Sequence, residues 1–95
     1  DEVTVSVGGG DDGFAFDKPG IVVSTGTTVI WEWTGEGGTH NIVSDDGSDY
    51  EFESELTDKT GYTIEQTVDE TGVALYVCTP HRALGMYGAV AVVDE

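Results

Sequence analysis

Hydrophobic and polar residues alternate with a period of two along much of this chain, the pattern of strands that bury one face. "VTVSV" (3–7) alternates cleanly, and "TVIWEW" (28–33) sets Val29, Trp31 and Trp33 on one face with Ile30 and Glu32 on the other. "IVV" (21–23), "HNIV" (40–43), "YEFE" (50–53), "YTIEQTV" (62–68), "VALYVC" (73–78) and "AVAVV" (89–93) bring the short strands to about eight. Clusters of Gly, Asp, Thr and Ser separate them, among them "GGGDDG", "KPG", "TGEGGT" and "SDDGSD", residues that supply the backbone conformations of turns. No segment sustains helical periodicity; "SELTDKTG" (54–61) has room for one helical turn. Short strands at this spacing predict an all-β fold, a Greek-key β-sandwich of about seven to eight strands, in a single domain over residues 1–95. Trp31 and Trp33 are expected as core anchors rather than as platforms for stacking carbohydrate. "SDDGSD" lacks the spacing and terminal Glu of a calcium loop and reads as a solvated acidic turn.

Charge changes the picture more than length does. Across 95 residues, 19 Asp and Glu face only Lys18, Lys59 and Arg82, a formal charge of −16. Phosphate would be repelled, so nucleic acid is excluded as a partner. Disorder does not explain the charge, because Val, Ile and aromatic residues recur in strand-like runs. The reading that fits is a folded protein adapted to high salt, where a Debye length of about 3 Å at 1 M stops such a surface from repelling itself. No apolar run approaches the ~18 residues of a membrane span. No signal peptide or lipid-attachment cysteine is visible, and a start at Asp1 without methionine suggests a processed or trimmed form.

The soft donor atoms are concentrated in one place. "CTPHRALGMYG" (78–88) holds the only cysteine, the only methionine and one of two histidines, in the spacing Cys78, His81, Met86. One cysteine excludes an internal disulfide. Cys78 ends an apolar strand, Thr79-Pro80 begins a turn, and His81 and Met86 can fold back over the strand end. His40 begins another strand and would add a fourth donor at the same end. Structural zinc sites use Cys and His and rarely a thioether. A cysteine-protease pairing of Cys78 with a histidine leaves Met86 unexplained and has no third, orienting group. Two imidazoles, a thiolate and a thioether form the donor set of a blue-copper electron-transfer site.

On these residues the chain resembles the small cupredoxins of the plastocyanin type, and among them the halocyanins, the blue copper proteins of haloarchaea. "CTPHRALGM" is similar to the family's C-[ST]-P-H-x-x-x-G-M ligand loop and "GGTHNIVSD" to its first-ligand segment. "DDGFAFDKPGIVVSTGTTVIW" resembles the early strands and "MYGAVAVV" the closing one. The resemblance implies one type 1 copper ion held by His40, Cys78 and His81, with Met86 as the long axial ligand. It implies supporting roles for Asn41, which ties the two ligand loops together beside the sulfur, and for Pro80 in the turn. Electrons would leave through His81, in a docking patch of His81, Arg82, Ala83, Leu84 and Gly85, with help from Gly37 and Gly38. Two positions depart from the family: Thr39 stands where many plastocyanins have proline, and Val77 where they carry a surface tyrosine of a remote docking region. Tyr76, one residue away, points to the opposite face of its strand, so that remote route is not expected here.

The expected function is electron transfer between membrane-associated redox partners, by a monomer on the cell-surface side of a membrane. The precursor is expected to be lipid-anchored or peripheral. A copper oxidase or reductase domain would need further histidines, and His40 and His81 are both committed. Copper storage or delivery would favour a more open, sulfur-rich site. From Thr71 to Val93 there is no Asp or Glu, so the face that would meet partners is nearly neutral on an anionic body. Burial of the strands accounts for the missing acids at 73–77 and 89–93, but not for the loop between them.

Overall fold

A computed structural model describes residues 2–9, 13, 15–18 and 20–94, the side chains of 82–84 excepted. Among the described residues, eight strands run in the order β1 (Glu2–Gly9), β2 (Ala15–Phe16), β3 (Gly20–Ser24), β4 (Thr27–Trp33), β5 (Val43–Ser44), β6 (Thr63–Val68), β7 (Gly72–Val77) and β8 (Tyr87–Val93). A 3-10 segment, Thr79–Leu84, joins β7 to β8. The strands form two four-stranded sheets, β2-β1-β4-β6 and β3-β8-β7-β5. β1 pairs parallel with β4 and β3 parallel with β8, and the remaining pairs are antiparallel. This is the expected all-β, cupredoxin-like sandwich.

The period-two pattern decides which side chains lie between the sheets. On β4, Val29, Trp31 and Trp33 are at most 1% exposed, while Glu32 faces solvent. From the other sheet come Ala74, Tyr76, Val90 and Val92. Tyr76 is the hub: Phe16 and Trp31 meet its ring edge-on, with centroids at 4.9 and 5.4 Å. The Trp31 indole N–H faces the Tyr76 hydroxyl without reaching hydrogen-bond geometry, and burial pushes the phenol above its usual range. A Cβ at Gly88 would run into the Tyr76 ring, so β8 has a glycine where the two meet.

The stretch between β4 and β6 departs from expectation. "HNIV" is reduced to an isolated bridge, His40–Thr57, followed by the two residues of β5, and "YEFE" contributes only the bridge Val43–Glu53. Serine hydroxyls take up backbone groups that a ladder would otherwise use. Ser54 Oγ accepts from Ile42 N at 2.8 Å, Ser44 Oγ from Phe52 N at 3.3 Å, and Ser48 Oγ from Leu75 N at 3.0 Å. Residues 54–61 contain no helical turn. The short β2 was not anticipated, and a bulge between Val7 and Gly9 sets its register on β1.

Burial accounts for most, but not all, of the missing acids of β7 and β8. Alternate residues of these strands face outward: Val73 is 38% and Tyr87 44% exposed, and Val22 on the neighbouring β3 is 70% exposed. With Leu75, Ala89 and Ala91 they make an uncharged outer sheet face.

Candidate metal centre

Three donor atoms meet at one end of the sandwich. His40 lies in the loop after β4, Cys78 directly follows β7, and His81 sits within the 3-10 segment. Cys78 is carried in as the next inward position after Ala74 and Tyr76, and it is fully buried. Its N–H donates to the Met86 carbonyl at 3.0 Å and its carbonyl accepts from His81 N at 3.1 Å. The second bond closes the turn that swings His81 back over the strand end. His81 itself interrupts the 3-10 segment, with φ −117° and ψ 19°. Met86 is 1% exposed, and its N–H donates to the His81 carbonyl at 3.4 Å.

His40 Nδ1, Cys78 Sγ and His81 Nδ1 form a triangle with sides of 3.1, 3.4 and 3.5 Å. A point equidistant from the three lies roughly 1.9 Å from each, close to the ~2.0–2.3 Å of nitrogen and thiolate bonds to a transition metal. The tautomer of His40 is fixed from behind: Nε2–H donates to the Glu36 carbonyl at 2.6 Å, so Nδ1 turns its lone pair into the triangle. The buried Trp33 indole donates to the His40 carbonyl at 3.1 Å. Converging lone pairs of this kind repel one another and suit a cation. Burial, helped by the charge of His40, lowers the basicity of His81. Burial raises the Cys78 thiol against the opposing backbone N–H groups of Asn41 and His81.

Asn41 lies beside the triangle and is 6% exposed. Its Oδ1 accepts from Thr79 N at 2.8 Å and from Thr79 Oγ1 at 3.2 Å, tying the His40 loop to the residue after Cys78. Pro80 is exposed in the first turn of the 3-10 segment. Of the expected docking patch, Gly85 is exposed and His81 part-buried, while the side chains of Arg82, Ala83 and Leu84 lie outside the described residues. Tyr76 is fully buried in the core, as is Val77 before Cys78, so neither offers an aromatic surface. Among the described residues, His40, Cys78 and His81 are the one cluster of at least three His, Cys, Asp or Glu placed to hold a metal; the "SDDGSD" loop forms none.

The family model of copper-binding proteins of the plastocyanin/azurin type matches the chain over residues 3–93. The chain belongs to this family. A halocyanin from Natronomonas pharaonis is 65% identical over 92 residues, which cover 97% of this chain and 56% of the relative. The chloroplastic plastocyanin of Pisum sativum is 32% identical over 99 residues, covering 95% of this chain and 58% of that protein. The chain thus spans somewhat over half the length of these two relatives. Among solved structures, a Cu(I) form of an amicyanin variant superposes with a TM-score of 0.77 at 26% identity, covering 96% of this chain and 81% of that one. The cupredoxin fold and the His/Cys/His cluster together are consistent with a mononuclear copper electron-transfer site. Two features of it escaped the sequence reading. Trp33 appeared only as a core anchor, and the Glu36 carbonyl did not appear at all, because a backbone acceptor has no signature in residue identity.

Proposed function

We propose that residues 1–95 act as one electron-carrying unit, cycling a single type 1 copper between Cu(I) and Cu(II). The observation that carries this reading is the 3.1–3.5 Å triangle of two imidazole nitrogens and one cysteine sulfur. His40, Cys78 and His81 are the strong ligands, and the buried Met86 supplies the weak thioether donor that separates a blue-copper set from a zinc set. Copper contributes the one-electron couple. The protein holds the donors in one geometry for both oxidation states: β7 fixes Cys78, the 3-10 turn fixes His81, and Asn41 locks the two loops together. Cys78 binds as thiolate, its proton leaving on metal uptake.

His81 is the exit for the electron. Pro80 and Gly85, exposed in the same loop, carry no charge, and Arg82, next to His81, is that loop's one charged residue, on a body of −16. A small, dry, weakly charged contact suits a transient encounter with a redox partner. Those partners are membrane-associated, and the carrier works outside the cytoplasm in a high-salt setting. The experiment is an optical titration of the metal-free protein with Cu(II) in molar salt. An intense visible thiolate-to-copper band at one equivalent, absent in Cys78→Ser, is the expected result. A colourless protein that binds Zn(II) as tightly as Cu(II) would overturn the proposal.

A further inference from the structure

We infer that Thr34 is a positioning residue for the His40 ligand, acting through the Glu36 carbonyl. The turn that presents this carbonyl is poorly able to hold itself. Gly35 and Gly37 on either side of Glu36 have φ of +88° and +77°, and glycine backbone has more freedom to lose than any other. Yet the Glu36 carbonyl stands 2.6 Å from His40 Nε2, the bond that turns Nδ1 toward the metal triangle. Something outside the turn has to pin it.

The Thr34 hydroxyl does so with both of its bonds. It donates to the Gly8 carbonyl on β1 at 2.9 Å and accepts from Glu36 N at 3.1 Å. Its own backbone is anchored by Thr34 N donating to the Val7 carbonyl at 3.0 Å. One hydroxyl therefore links β1, the end of β4 and the N–H of the residue whose carbonyl holds His40. Gly8 closes the arrangement. A Cβ there would lie 2.7 Å from both the Glu36 carbonyl oxygen and Thr34 Oγ1, and 3.2 Å from His40 Nε2. The β1 backbone is thus packed directly against the back of the ligand. Thr34 adds nothing to the triangle itself; it sets the ring angle from behind.

This role rests on His40 being a ligand, but its first test needs no copper. In the metal-free protein, the His40 Nε2 proton should exchange slowly with solvent by NMR. Thr34→Val keeps the shape and removes both bonds, and should speed that exchange roughly tenfold, as expected for ~1.4 kcal/mol of lost hydrogen bonding. Thr34→Ser should restore the wild-type rate. In the copper-loaded protein, Thr34→Val should shift the reduction potential and Thr34→Ser should not. Thr34→Ala repeats the comparison if Thr34→Val loses its native near-UV spectrum. An unprotected Nε2 proton in the wild type would overturn the inference, as would equal exchange rates and potentials in Thr34→Val and wild type. Absence of the blue band in the wild type would instead strike the proposed function, leaving the proton-exchange result to stand by itself.

Discussion

Salt should control whether this protein is folded. The charge of −16 is confined in the folded state to a body with a radius of gyration of 12.3 Å. That corresponds to a sphere of about 16 Å radius, whereas an unfolded chain of this length has a gyration radius of about 31 Å, a sphere of about 40 Å. Charging the two spheres in water disfavours the folded state by about 16 kcal/mol at ~0.01 M salt, about 10 at ~0.1 M and about 4 at ~1 M, as the Debye length falls from ~30 to ~10 to ~3 Å. The change of about 12 kcal/mol is as large as the whole stability of an ordinary domain, ~5–15 kcal/mol. Local pairing offers little relief, because the Lys18–Asp17 pair at 3.2 Å is exposed on both sides. The assay is thermal and urea unfolding by circular dichroism in KCl from about 0.01 to 1 M. The chain should be unfolded at the low end and gain stability by similar steps per decade of salt. A melting temperature that does not move across this range would refute the electrostatic argument, and a gain confined to the molar end would point to ion exclusion instead of screening.

Three further outcomes test the packing and the site. Asn41→Ala removes the acceptor for both Thr79 donors and should lower stability by about 1–3 kcal/mol, with faster copper loss; Asn41→Asp, which keeps the oxygen, should be milder, and equal effects would count against the bridging role. Gly88→Ala drives a methyl into the Tyr76 ring and should cost about 1–3 kcal/mol as overpacking, read from the urea midpoint and relieved by Tyr76→Leu. The metal-free protein should be most stable between the His81 and Cys78 titrations. With its basicity lowered by burial first and by His40 second, folded His81 binds fewer protons than the unfolded chain below the ordinary 6.5, so stability is lost as pH falls through that window. With its thiol raised by burial, folded Cys78 keeps a proton that the unfolded chain releases above 9.0, so stability is lost again as pH rises. Melting curves across pH should show both limbs, and Cys78→Ala should push the alkaline limb higher; an unmoved limb would contradict the thiol assignment.

Residue identity and spacing went a long way here. The alternation in "TVIWEW" places Trp31 and Trp33 inside, and the spacing of Cys78 and His81 marks two of the three donors that cluster. A period of two is a local property of the backbone, so it survives folding wherever a strand forms. It misled between residues 40 and 62, where serine hydroxyls compete with the ladder for backbone donors and the strands shrink to bridges. It also left β7 and β8 looking buried throughout, because small apolar residues outside read the same as small apolar residues inside.

Fold class, extreme charge and the candidacy of His40, Cys78 and His81 were legible in the chain alone, since each follows from side-chain chemistry and short-range periodicity. It took the folding of the chain to bring His40 Nδ1, 38 residues before Cys78, to 3.5 Å from its sulfur. Folding also decided that the Glu36 carbonyl and the Thr34 hydroxyl stand behind the His40 ring. Those contacts depend on the path of the loop after β4 and on its anchor to the Gly8 carbonyl of β1. A carbonyl is the same in every residue, so only the path of the chain can say which one will hold a ligand.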